Sequence, residues 1–193
     1  MNTNFITENI RLDEKPATRH RLNSFMPRKK KHPPKVSDFL NPSKILIDLN
    51  GKSKLVIIEN LVNFLADEIT SSETDQIVLN LMEREALKST AVGGGFAIPH
   101  CSCDHLKNIE VLLGISQAGL DFDAVDGQHV YLFFLVLTPR KFNLEYLNLV
   151  ASIVHLIRES NFGSDLLLCN NAQDVIKFIA ETESAIPKKT AIT

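Results

Sequence analysis

A chain of 193 residues with 44% hydrophobic content can bury one substantial core and leaves little room for a second enzyme domain, so one folded body with an appendage is expected. The longest apolar runs, Tyr131 to Leu137 among them, fall far short of the ~20 residues a membrane-spanning helix needs, which argues against a membrane span. The formal net charge of −2 conceals an asymmetry, because residues 1–36 carry nine Lys and Arg against three acids while the remainder is acidic.

The start, Met1-Asn2-Thr3-Asn4, lacks a basic opening followed by an apolar stretch, so no secretory signal is expected. Three cysteines, Cys101, Cys103 and Cys169, cannot all pair within one chain and suit a reducing, cytoplasmic setting. Residues 1–35 are polar, basic and interrupted by Pro16, Pro27, Pro33 and Pro34, and read as a disordered N-terminal arm. Within it Arg28, Lys29, Lys30 and Lys31 form a compact cationic run. That run is either a contact for a polyanion (nucleic acid, anionic lipid or an acidic partner) or a solvated tail.

The folded body is expected over 36–183. Ser37 to Pro42 reads as a capped turn ended by proline, and Ile45 to Leu49 as a short strand followed by an Asn50-Gly51 turn. Leu55, Ile58, Leu61, Val62, Leu65 and Ile69 recur by threes and fours and predict an amphipathic helix capped by Ser53. A second helix is predicted after Ser71-Ser72-Glu73, ending near Lys88 with Arg84 in its last turns. Ile109 to Ser116 reads as a strand, Gln117-Ala118-Gly119 as a turn, and Asp121 to Gly127 as an acidic connection. Val130 to Leu137 is a strand apolar enough to be buried on both faces. A third helix carries Leu144 to Ile157. A short helical piece follows at Asp165 to Leu168, then a last helix from Ala172 to Glu181 capped by Asn171, and a flexible tail over 184–193. Helices before, between and after few strands imply an α/β fold: three layers, α/β/α, with a small mixed sheet flanked by helices.

The chemistry gathers between Arg84 and His100. Gly93, Gly94 and Gly95 allow backbone conformations closed to other residues and can turn N–H groups toward an anion. No Gly-Lys-Ser/Thr follows, and the glycines do not open a helix after a strand, so neither nucleotide-binding loop fits. What remains is a loop for phosphate beside His100, an imidazole largely neutral and nucleophilic at cellular pH. Ser89 and Thr90 are candidate hydroxyl donors to phosphate, and Arg84 a candidate charge. A competing use of the same stretch is a metal site, since His100-Cys101-Ser102-Cys103-Asp104-His105 gathers imidazoles and thiols. The spacing lacks the paired Cys-x-x-Cys pattern, and no metal is expected.

Gly95-Phe96-Ala97-Ile98-Pro99-His100, preceded by Arg84-Glu85 and Ser89-Thr90, closely resembles the active-site signature of the IIA domain of the bacterial phosphotransferase system, in its fructose/mannitol/nitrogen-regulatory (type 2) family. Asp121-Phe122-Asp123-Ala124-Val125-Asp126-Gly127-Gln128 resembles a second family segment, and Val36 to Pro42 with Ile45 to Leu49 the start of the nitrogen-regulatory branch. The resemblance implies that His100 is the phosphorylated residue, loaded by a small phosphocarrier protein of the HPr kind without cofactor. It also implies a mixed sheet flanked by helices. Phosphate would then pass to a IIB component in sugar-transporting relatives, or control the binding of a partner protein in the nitrogen-regulatory branch. Where the family commonly has a second histidine this chain has Tyr146, which can donate one hydrogen bond to phosphate and cannot become cationic. The expectation is a stand-alone, regulatory IIA. The alternatives are a fructose- or mannitol-specific IIA and a degenerate binding module that is not phosphorylated.

Overall fold

The computed structural model describes residues 33–65 and 71–186; the cationic run at 28–31, Ile69 and the tail from 187 onward lie outside them. Pro34 already belongs to the folded body, because its carbonyl accepts a 2.8 Å hydrogen bond from the Ser152 hydroxyl. A 3₁₀ turn over Val36–Phe39 buries Val36 completely, and a second over Pro42–Lys44 is capped by Asn41. Glu183 ties this start to the far end of the chain, its carboxylate accepting from the Val36 and Ser37 N–H groups and the Ser37 hydroxyl.

The sheet has six strands: β1 (Ile45–Ile47), β2 (Ala91–Gly93), β3 (Phe96–Ala97), β4 (His100–Ser102), β5 (Glu110–Leu120) and β6 (Val130–Thr138). Their order is β1-β5-β6-β3-β2, with β4 also on β6. β5 and β6 pair antiparallel, and β1 lies parallel to β5. Two short strands share the other edge of β6 in tandem, both parallel to it: β3 sets Phe96 against Leu132, and β4 sets His100 against Val136. Pro99 separates them and still accepts the Val136 N–H through its carbonyl.

Helices cover both faces. Helices α1 (Lys54–Asn63) and α2 (Ser71–Leu87) lie on one side, α3 (Asn143–Leu156), α4 (Phe162–Leu167) and α5 (Ala172–Ala185) on the other. β6 divides its side chains by parity between the two cores. Leu132, Phe134 and Val136 join Val111, Leu113, Ile115, Leu149 and Ile153, whereas Phe133, Leu135 and Leu137 join Leu112, Ile58, Leu61 and Leu81. This is the three-layer α/β/α arrangement expected, and the unbroken apolar run of β6 is its cause, since a strand covered on both faces has no side to give to water. Each fully buried Phe or Leu contributes about 1.5–3 kcal/mol relative to exposure. At Gly114 the approach of α1 leaves no room for a side chain, because a Cβ there would stand 2.6 Å from Leu61 Cδ2.

Most predicted elements lie where expected: Ser53 and Asn171 cap α1 and α5 by accepting from the N–H groups of Val56 and Asp174. Two expectations are corrected. Gln117-Ala118-Gly119 is no turn; β5 continues through it to Leu120, with a register shift between Ile115 and Leu120 and Gly119 at φ 70°. The last helix runs on through Ala185, so Ser184 belongs to the body and not to a tail. Among the described residues no helix is long and apolar enough to cross a membrane.

Candidate functional site

Helix α2 ends at Leu87, and its last turn is anchored from beneath by a buried carboxylate. Glu85 accepts hydrogen bonds from the Thr90 N–H (3.2 and 3.1 Å) and from the Thr90 hydroxyl. Lys54 of α1 pairs with Glu85 at 3.2 Å and with Asp123 at 2.9 Å, while lying 4.7 Å from the centre of the Phe122 ring. A lone buried carboxylate would be costly; this one is satisfied by an ammonium and three donor contacts. Holding Glu85 fixes the residue before it, which points another way around the helix.

That residue is Arg84. Its Nε–H donates to Nε2 of His100 at 3.1 Å, and its Nη1 donates to the Lys88 carbonyl at 2.9 Å. The other ring nitrogen of His100, Nδ1, lies 2.8 Å from the Ile98 carbonyl. Guanidinium can only donate and a carbonyl can only accept, so the neutral ring carries its proton on Nδ1 and its lone pair on Nε2. Burial holds the His100 pKa below its ordinary value; the Ile98 carbonyl opposes this, Arg84 adds to the depression and Glu85 offsets part of it. The neutral, nucleophilic imidazole is therefore the resting form.

Tyr146, from the first half of α3, completes the group with its ring centre 5.7 Å from that of His100. Its phenol is pushed up by burial and drawn down by Arg84, with burial the larger effect, so it stays protonated at neutral pH. His100, Arg84 and Tyr146 open into a cleft of about 540 Å³, lined also by Asn80, Glu83, Thr138, Arg140 and Asn143. These last were missed by reading the sequence, although spacing offered a signal for two: Asn80 lies one turn before Arg84, and Asn143 one turn before Tyr146. Arg140 stands at the rim, its backbone N–H and Nε both donating to Asp104.

The structure does not bring the other candidates to the imidazole. The Ser89 hydroxyl donates to the Phe122 carbonyl at 3.0 Å, and the Thr90 hydroxyl is held by Glu85; neither residue lines the cleft. Gly93, Gly94 and Gly95, at φ 91°, 63° and 85°, turn the chain between β2 and β3. The Gly94 N–H is taken by Asp126 at 2.8 Å, and the Gly95 carbonyl accepts from Tyr131 and Leu132. Tyr131 lies five residues along β6 from Val136, the partner of His100, so the hairpin sits roughly 16 Å away from the site. The run makes a turn, and its N–H groups do not cradle an anion on His100.

The six residues of the competing metal reading do not converge either. Cys103 is buried in the core, His105 is exposed 3.7 Å from Glu73, and Cys101 is pushed up to about 12 by burial and by Cys103. Among the described residues no group of three or more His, Cys, Asp or Glu is placed to hold a metal ion.

Residues 38–182 match the family described as "Phosphoenolpyruvate-dependent sugar phosphotransferase system, EIIA 2". The chain belongs to this family. Among individual proteins, this EIIA is 30% identical over 151 residues to a "Nitrogen regulatory protein" of Pseudomonas aeruginosa, across 78% of this chain and 97% of that one. The crystal structure of nitrogen regulatory protein IIA-Ntr from Neisseria meningitidis superimposes with a TM-score of 0.69 at 26% identity, covering 75% of this chain and 98% of the other. At 16% identity, the mannitol enzyme IIA of Escherichia coli, solved in complex with phosphorylated enzyme IIB, shares the fold with a TM-score of 0.62 over 74% and 97% of the two chains. The matched segment of the EIIA begins within the first 3₁₀ turn and ends in α5, so it spans the sheet, both helical layers and the cleft.

Proposed function

We propose that this EIIA accepts a phosphoryl group on Nε2 of His100 from an HPr-like phosphocarrier in the cytoplasm, and that its phosphorylation state governs the binding of a partner protein. The observation that carries the reading is the treatment of the two ring nitrogens. Nδ1–H is tied to the Ile98 carbonyl, and Nε2 presents its lone pair beside Arg84 in an open cleft. Attack by Nε2 forms the new N–P bond as the carrier's N–P bond breaks, and the carrier imidazole leaves with that electron pair. Each ring keeps its own N–H. The positive charge left on phosphorylated His100 faces the Ile98 carbonyl, and Arg84 turns from Nε2 to the phosphoryl oxygens.

Similarity to nitrogen regulatory proteins over nearly their whole length supports the regulatory role. A second reading, onward transfer to a IIB component, is favoured by the fold shared with a mannitol IIA solved against its phosphorylated IIB. Incubation with phosphoenolpyruvate, enzyme I and an HPr-like carrier tests both. The expected result is one acid-labile phosphate per chain in the wild type and none in His100→Ala. Label passing to an added IIB protein would select the second reading, and a wild type that takes no label would leave only a binding module.

A further inference from the structure

The phosphohistidine reading raises a question that the cleft itself answers: whether a phosphoryl group on His100 moves on quickly or stays. The titratable and charged groups that line the cleft with the ring are Glu83 and Arg84 from α2, Cys101 beside it on β4, Arg140 from the turn after β6, and Tyr146 from α3, while Glu85 acts on the ring through its charge from its buried place beneath α2. Cys101 stays a thiol, and the two arginines only donate. Among the described residues lining the cleft, Glu83 is the single carboxylate and His100 the single imidazole. Tyr146 is half-buried with its ring beside His100, and its hydroxyl has no hydrogen-bond partner among the described residues. It is thus an unpartnered donor on a residue that lines the same cleft as His100.

We infer, resting on the phosphohistidine reading, that Tyr146 makes His100 a phosphoryl-retaining site. Its hydroxyl donates to a phosphoryl oxygen in the phosphorylated protein and stabilises that state. Its ring screens one side of the N–P bond from water, and phenol cannot act as the base that would activate a water molecule at neutral pH. Stabilising the ground state without assisting the next step slows that step. Hydrolysis, when it occurs, transfers the phosphoryl group from Nε2 to water, giving inorganic phosphate and neutral His100. The phosphorylated chain therefore persists after the carrier has left, as a partner-binding signal requires.

The test loads wild type, Tyr146→Phe and Tyr146→His from phosphoenolpyruvate through the carrier, removes the carrier, and follows loss of acid-labile phosphate between pH 6 and 8.5. Tyr146→Phe keeps the ring and loses the donor, and should release phosphate about tenfold faster, the low end for one hydrogen bond to a charged group. Tyr146→His places a base in the cleft, and its release rate should climb as pH rises through about 6.5 and then level, a feature absent from the wild type. Label on His100 that survives equally long in Tyr146→Phe would overturn the inference alone. So would a Tyr146→His profile that follows the wild type. Tyr146→Phe removes one oxygen and keeps the packing, so the test stands even where Tyr146→His folds poorly. A wild type that accepts no label would overturn the functional reading first, and this inference with it.

Discussion

At one end of β6, Gly93 to Gly95 turn the chain between two short strands, with backbone groups bound to Asp126, Tyr131 and Leu132. At the other end, His100 leans on Arg84 and Ile98 with one nitrogen facing a cleft. The two lie within eight residues of each other in sequence, and a reader of the sequence takes them for one site. In three dimensions the first end builds the scaffold and the second opens the cleft on which the proposed function rests. Proximity along a chain that runs as a strand is distance in space, because each residue advances the backbone by about 3.3 Å.

The comparison can be broken from either end. The largest effect on stability is expected beneath the site, where Lys54→Ala leaves the Glu85 carboxylate, 2% exposed, without its ammonium partner. The cost should be about 3 kcal/mol, read from urea unfolding, because the remaining Thr90 contacts do not supply a positive charge. An unchanged midpoint would mean that α2 is anchored elsewhere. Next comes the hairpin: Gly95→Val puts a β-branched residue at φ 85°, with its Cβ 3.1 Å from the Tyr131 ring. A loss of about 2 kcal/mol is expected, with phosphate acceptance per folded molecule unaltered. Acceptance falling in step with His100→Ala would return the glycines to the active site.

The smallest effect concerns protons. Folding lowers the His100 pKa below the 6.5 of the exposed side chain, so the unfolded chain binds the extra proton more readily. This contribution to stability is complete above pH 6.5 and is lost as pH falls through the folded value. Thermal unfolding of wild type and His100→Gln should therefore diverge in slope below pH 6.5 and run parallel above it. Parallel curves throughout would show that the imidazole is no less basic in the folded protein.

The frame of the molecule was legible because burial writes itself into composition. β6 is apolar at nearly every position, α1 repeats by threes and fours, and Ser53 and Asn171 are caps whose side chains do what their type suggests. β5 looks shorter in sequence than it is because its polar Gln117 and flexible Gly119 resemble a turn, while pairing with β6 and a bulge carry the strand on. β4 gave no signal, being three residues of mixed character behind a proline. At the site, Arg84 and His100 were readable, but the direction of Ser89 and Thr90 was not. Their hydroxyls are claimed by Phe122 and Glu85, partners that only the tertiary fold brings near. Tyr146 is pointed to by the family resemblance alone; forty-five residues of intervening chain hide its meeting with His100.

The tether between Arg84 and the Lys88 carbonyl has one more consequence. Among the described residues the guanidinium forms no ion pair; the helix end restrains it with an uncharged oxygen, and the imidazole supplies a lone pair. An arriving dianion has no carboxylate to displace from it. Arg84 is held in position with its charge committed to no carboxylate, so a phosphoryl group brought to His100 by the proposed reaction would meet a guanidinium with no ion pair to break.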